Sequence, residues 1–172
     1  MQITPCAPEE IQTIFDLYDK AIEFQKTKSD KHWQTFDELL IGNEIRENRL
    51  WKIIEGKEIA CIFSIAYSDP LIWGKEFDEP SLYIHRIVTN PLFRGRGYVK
   101  VIIEWAKEFS KISEKKFIRI DTWGDNQKLN DYYQSCGFSF IRTVTPQDTG
   151  KLPKHYAHIS LSLFEIRINS ED

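Results

Sequence analysis

No apolar run in this sequence approaches the roughly 20 residues that a bilayer-spanning helix needs. The opening Met1-Gln2-Ile3-Thr4-Pro5 lacks the basic-then-apolar pattern of a secretory leader. Together they predict a cytoplasmic protein with no membrane partner. Cysteine is scarce: Cys6, Cys61 and Cys136 are odd in number, far apart and without a Cys-x-x-Cys pair, which argues against a disulfide framework or a zinc site. Among four histidines only His155-x-x-His158 is a close pair, and in the strand expected there a separation of three puts them on opposite faces, so no metal is predicted. Basic charge is not in excess. With 23 Lys and Arg against 26 Asp and Glu the net charge is -3, which argues against a nucleic-acid binder and mildly favours a cationic substrate.

What is present suffices for one core. The 172 residues are 41% hydrophobic and 13% aromatic, with no internal repeat, low-complexity tract or linker, so 1–172 reads as a single domain. Ile3 opens a short strand. Pro8-Glu9-Glu10 then starts a helix whose Ile11, Ile14, Phe15, Tyr18 and Ile22 recur at helical spacing. A second helix is predicted over Thr35 to Arg46. Strands at Leu50 to Ile54 and Ile59 to Tyr67 flank a hairpin turn, Glu55-Gly56-Lys57. An acidic loop, Pro70 to Pro80, leads to a strand over residues 82–89.

The segment from Leu82 to Phe138 carries the chemistry. Asn90-Pro91 ends the strand, and Arg94-Gly95-Arg96-Gly97 opens a helix whose Val101, Ile102, Trp105, Ala106 and Phe109 form an apolar stripe. Phe117 to Trp123 alternates as a second strand, giving a βαβ unit with parallel strands. Glycines let backbone approach a ligand closely, and a helix N-terminus offers unpaired N–H groups and a positive dipole end, so the turn is a phosphate site in outline. No Gly-Lys-Ser or Gly-Lys-Thr ending is present, which disfavours a nucleotide-phosphate enzyme. Phe138 to Val144 and Tyr156 to Phe164 are read as closing strands around a Pro146 to Pro153 loop.

Arg94, Gly97 and Val99 fall on a pyrophosphate-loop pattern of Arg or Gln, any, any, Gly, any, Gly or Ala. Asn126 leads into a helix ending Tyr133-Gln134-Ser135-Cys136-Gly137-Phe138. In this order the two signatures resemble the GCN5-related N-acetyltransferase family, over about residues 81–142. The resemblance implies an α/β fold: a twisted mixed sheet of six or seven strands flanked by about four helices. It also implies acetyl-CoA as cosubstrate, no metal, and a small-molecule or peptide amine as acceptor. Strands 82–89 and 117–123 would splay so that the pantetheine arm lies along Ile87, Val88 and Thr89, with the Ile87 N–H facing the thioester oxygen. Gly95, Arg96, Gly97, Tyr98 and Val99 would surround the pyrophosphate, with Arg94 and Arg96 adding charge. Val99 departs from the pattern, since a β-branched residue stands where Gly or Ala is usual, and implies an altered pyrophosphate fit.

By the same resemblance Tyr133 is the general acid for the departing thiolate, a task that suits a phenol protonated at neutral pH. Asn126 would face the coenzyme or simply begin its helix. His85 is the preferred base, sharing a face with Ile87 and Thr89 by two-residue alternation, with Asp121, Tyr83 or a water chain as reserves. Trp123, Asp121 and Tyr83 are the candidate acceptor contacts. Trp33, Trp73 and the acids Glu76, Asp78, Glu79 and Asp125 are further aromatic and carboxylate candidates. Cys136 has no neighbouring His to activate it, so direct transfer fits better than a covalent intermediate. A non-catalytic acyl-CoA sensor is the alternative reading. Homodimerisation is left open, with no interface marked in the sequence.

Overall fold

The computed structural model describes residues 1–147, 150–156 and 158–168. Its strands are β1 (Gln2–Pro5), β2 (Leu50–Glu55), β3 (Glu58–Ala66), β4 (Ser81–Thr89), β5 (Phe117–Trp123), β6 (Ser139–Val144) and β7 (Leu161–Arg167). Its helices are α1 (Ile11–Lys26), α2 (Glu38–Arg46), α3 (Pro70–Trp73), α4 (Tyr98–Ile112) and α5 (Gln127–Ser135). The sheet is mixed and seven-stranded, in the order β1-β2-β3-β4-β5-β7-β6. Its parallel pair, β4 with β5, runs in register from Ser81 opposite Phe117 to Ile84 opposite Ile120. The pairs β1 with β2, β2 with β3, β5 with β7, and β6 with β7 are antiparallel.

The chain packs as two compact units interleaved along the sequence. The first comprises Met1–Ile65, Arg86–Tyr98 and Pro153–His155, and the second Ala66–His85, Val99–Leu152 and Tyr156–Asp172. In the first unit, the helical spacing of Ile14, Leu17, Tyr18 and Ile22 buries one face of α1. Three of these join Phe36, Ile41, Ile45, Leu50, Ile62 and Val88 in a single core cluster. The β2–β3 hairpin turns at Gly56, whose φ of 63° suits glycine. The second helix starts three residues later than its pattern predicts. Asp37 is extended and accepts the Leu39 N–H at 2.7 Å, and this cap sets the start at Glu38.

In the second unit, Ile72, Trp73, Tyr83, Tyr156, Leu161 and Leu163 form the core cluster. Two expectations are corrected here. Pro70 to Trp73 is a helical turn rather than loop, with Pro at its first position, and Trp73 is fully buried. The last strand begins at Leu161, not Tyr156. Lys154–Tyr156 is a 3₁₀ turn and His158 has a φ of 59°, left-handed backbone that breaks a strand's alternation. His155 and His158 are therefore not strand neighbours.

Arg119 of β5 organises this second core. Its side chain is 1% exposed, with Nε 3.1 Å from Glu165 Oε2 and Nη2 3.3 Å from Glu79 Oε2. Nη1 donates to the Phe77 carbonyl and the Tyr83 hydroxyl, each at 3.1 Å. The rings of Trp73, Phe77, Tyr83 and Phe117 surround the guanidinium at 5.0, 5.0, 5.8 and 4.8 Å. Removing the guanidinium leaves the buried Tyr83 hydroxyl without its donor and the Glu165 carboxylate, 20% exposed, without its ion pair. Arg119→Ala is expected to lower stability by about 3–5 kcal/mol in urea unfolding. Unchanged stability would show that the aromatic shell holds without its cation.

Candidate active site

Three local structures carry the residues singled out from the sequence. In the first, β4 ends at Thr89 and Asn90 fixes the exit. Its side chain accepts the Leu92 N–H at 3.2 Å and donates to the Ile59 carbonyl at 3.0 Å, and its own N–H reaches the Ala60 carbonyl at 2.9 Å. Gly95 and Gly97 follow with φ of 81° and 71°, left-handed values that any side chain would strain. A Cβ built on either meets nothing within 4 Å, so open space lies over the turn. Helix α4 then starts at Tyr98, leaving its first N–H groups without intrahelical partners at the positive end of its dipole.

The two arginines of the turn are engaged with protein groups. Arg94 stacks on the Phe24 ring at 3.8 Å. Arg96 pairs with Glu55 Oε2 at 2.5 Å and lies over Phe93 at 4.9 Å. An anion recruiting Arg96 must draw it from Glu55. Of the β4 residues expected along a pantetheine arm, Val88 packs in the first core, Ile87 is half-buried, and Thr89 Oγ1 lies 3.8 Å from Cys61 Sγ. Between His85 and Ile87 the alternation is broken, because Arg86 has a φ of 48°. The buried Arg86 guanidinium pairs with Glu44 of α2 and lies 5.3 Å from the Phe36 ring centre, contacts that hold this unusual backbone.

The second structure is α5. Asn126 is its N-cap, its side chain accepting the Leu129 N–H at 3.2 Å, so Asn126 does begin its helix. Tyr133 is half-buried, with its ring 6.0 Å from Phe138 and 6.1 Å from Phe164. Asn130, which the sequence pattern did not mark, is buried and donates to the Gly124 carbonyl at 3.2 Å.

The third is a charged cluster in the second unit. His85 Nε2 lies 3.3 Å from Asp69 Oδ2, and Nδ1 lies 3.3 Å from Asp121 Oδ1. Both carboxylate oxygens are buried without an aligned hydrogen-bond donor, so each faces the ring as an ion-pair partner. The Tyr156 hydroxyl donates to Asp121 Oδ2 at 3.4 Å. Burial pushes the Asp69 carboxyl up to about 6, against the pull of His85 and with some help from Asp121. The three side chains offer atoms within 4.8 Å of one another, the span of a metal site. The carboxylates approach opposite ring nitrogens, however, which is the geometry of a doubly paired imidazole rather than of ligands converging on one ion.

His85 and Asp121 are thus brought together, and Asp69 joins them unannounced; Asp69-Pro70 reads in sequence only as a turn. Tyr83 is core, its hydroxyl donating to the Phe77 carbonyl at 3.2 Å. Trp123 packs half-buried on the second core cluster. Two of the acids considered for an acceptor are committed to arginines: Glu76 to Arg142 at 2.6 Å and Glu79 to Arg119. Burial pushes the Cys6 and Cys61 thiols up to about 12, which removes both as nucleophiles.

A family model, the Acetyltransferase (GNAT) family, matches residues 11–138. The uncharacterized N-acetyltransferase YesJ of Bacillus subtilis (strain 168) is 24% identical over 148 residues, spanning 80% of this chain and 81% of that protein. An acetyltransferase of the GNAT family from Listeria monocytogenes 4b F2365 superposes with a TM-score of 0.79 at 21% identity, covering 97% of this chain and 94% of that one. yncA from Salmonella typhimurium, solved with its cofactor acetyl-CoA, superposes with a TM-score of 0.69 at 13% identity, covering 100% and 96%.

Two outcomes are expected. Gly97→Ala places a side chain at left-handed φ, costing about 1–2 kcal/mol, and should weaken coenzyme A binding by about tenfold in calorimetric titration; equal affinity would remove the turn from the site. Asp69 has a higher pKa folded than its ordinary 3.8, so its ionised form opposes folding above about pH 6, and the penalty fades as pH falls towards 3.8. Asp69→Asn should therefore raise stability near neutral pH, by at most about 3 kcal/mol, with the gain shrinking in acid. Thermal melts across pH test the sign.

Proposed function

The chain belongs to the acetyltransferase (GNAT) family, and on that premise we propose that it transfers the acetyl group of acetyl-CoA to a primary amine by direct attack, with Tyr133 as general acid. The observation that carries the reading is the left-handed Gly95 and Gly97 turn opening α4 beneath clear space, followed in order by Asn126 and Tyr133 on α5. In this reading the turn and the α4 N-terminus take the pyrophosphate, the Ile87 N–H stabilises the oxyanion, and Tyr133 protonates the thiolate. The unreactive state of Cys6 and Cys61 supports direct transfer over an acyl-enzyme.

The acceptor is read as a small-molecule or peptide amine. The Asp69–His85–Asp121 cluster supports a cationic one, because two carboxylates face a single imidazole and leave negative charge to be met. The alternative is an acyl-CoA sensor of the same fold without acceptor chemistry. Thermal shift with acetyl-CoA, free CoA and ATP tests the cofactor assignment: both CoA forms should stabilise the protein by about 2.7 kcal/mol at a hundredfold excess over Kd, and ATP should not. An amine screen by thiol release follows. Tyr133→Phe should lower kcat by about 10²-fold or more with little change in KM for acetyl-CoA. Binding without turnover of any amine would favour the sensor.

A further inference from the structure

The His85 ring is flanked at both nitrogens. A neutral imidazole carries one N–H, so in either tautomer one nitrogen, with a lone pair in place of a proton, would lie 3.3 Å from a buried carboxylate oxygen and repel it. Protonating both nitrogens removes that repulsion and creates two ion pairs in a site where the side chains of His85, Asp69 and Asp121 are 15%, 10% and 5% exposed. A ring so charged has no lone pair with which to accept a proton. Its expected role as base then passes to a neighbour.

Among the groups facing this ring are Asp69 from the segment before α3 and Asp121 from β5, with the Tyr156 hydroxyl on Asp121. Asp121 is the more enclosed carboxylate and already accepts a hydrogen bond from Tyr156. Asp69 is the more open, and burial brings its pKa close to neutrality, where a general base works best. Resting on the acetyl-transfer reading above, we infer that the Asp69 carboxylate receives the proton given up by the acceptor ammonium, while His85 remains an imidazolium clamped between Asp69 and Asp121.

The step balances. The ammonium passes one proton to Asp69, and the freed amine attacks the thioester carbon. The C–N bond forms, the tetrahedral intermediate collapses and the C–S bond breaks. The thiolate takes the Tyr133 proton, the nitrogen's surplus proton restores Tyr133, and Asp69 releases its proton to solvent. His85 gains and loses none, so it is a positioning residue and Asp69 the catalytic one.

Two measurements decide this. Nitrogen-15 NMR of the histidine rings should show both His85 nitrogens protonated at about pH 7.5. A neutral His85 there overturns the inference, whatever the enzyme's substrate. The kcat/KM profile with an amine found in the screen should lose its acid limb in Asp69→Asn, with a fall of about 100-fold near neutral pH. His85→Gln should lower kcat/KM yet keep the limb, moved to higher pH because a neighbouring cation is gone. In the native enzyme that limb should barely shift with temperature, since carboxyl ionisation is nearly athermal and imidazole ionisation is not. A limb kept in Asp69→Asn and lost in His85→Gln overturns the inference. Absence of acetyl transfer to every amine overturns the enzymatic reading and with it the base role of Asp69, while the NMR result still judges the clamped imidazolium by itself. The coenzyme A thermal shift reports whether each variant is folded.

Discussion

Parallel pairing between β4 and β5 runs to Ile84 opposite Ile120, and two residues later Arg86 turns to left-handed φ. A strand cannot keep one ladder and one alternation through such a residue, so β4 changes character in its middle. Its first half is sheet core, with Leu82, Tyr83 and Ile84 all buried. Its second half leads through Thr89 and the Asn90 cap into the glycine turn, which lies beneath open space. The conformation is held by charge: the buried Arg86 guanidinium against Glu44, beside the Phe36 ring.

Buried charge is used in three different ways. Arg119 is fully satisfied, with two carboxylates, a carbonyl, a hydroxyl and four aromatic faces around it, and so it is structural. Arg86 and Glu44 form a pair whose value lies in fixing backbone geometry, because burial of an ion pair by itself adds little net stability. The Asp69–His85–Asp121 group is different in kind: two anions and one cation, with two carboxylate oxygens lacking aligned donors. An arrangement that is poorly compensated at neutral pH is costly to the fold, and perturbed buried groups of this kind cluster at functional sites.

The motif-bearing parts were legible in the chain because they depend on local rules. Gly95 and Gly97 announce left-handed backbone, Asn90-Pro91 a strand end, Glu55-Gly56-Lys57 a hairpin, and the spacing within α1 and α4 an apolar face. Boundaries were less legible where a single side chain decides them. The Asp37 cap moved the start of α2, and a left-handed His158 moved the start of β7. Trp73 and Glu79, read as candidates for recognition, are absorbed by Arg119, and Glu76 by Arg142. Their partners lie far away in sequence, and no periodicity marks such contacts.

By itself the sequence determined the order of the strands and longer helices, the glycine turn ahead of α4, the Asn126 to Tyr133 helix and hence the family. Each of these is a short-range relation between residue type and backbone conformation. Only the tertiary structure decided what charge each site residue faces. It placed Asp69 beside His85, broke the alternation at Arg86, and tied Arg96 to Glu55. Ionisation depends on burial and on neighbours contributed by distant segments, and these come into being only when the chain folds.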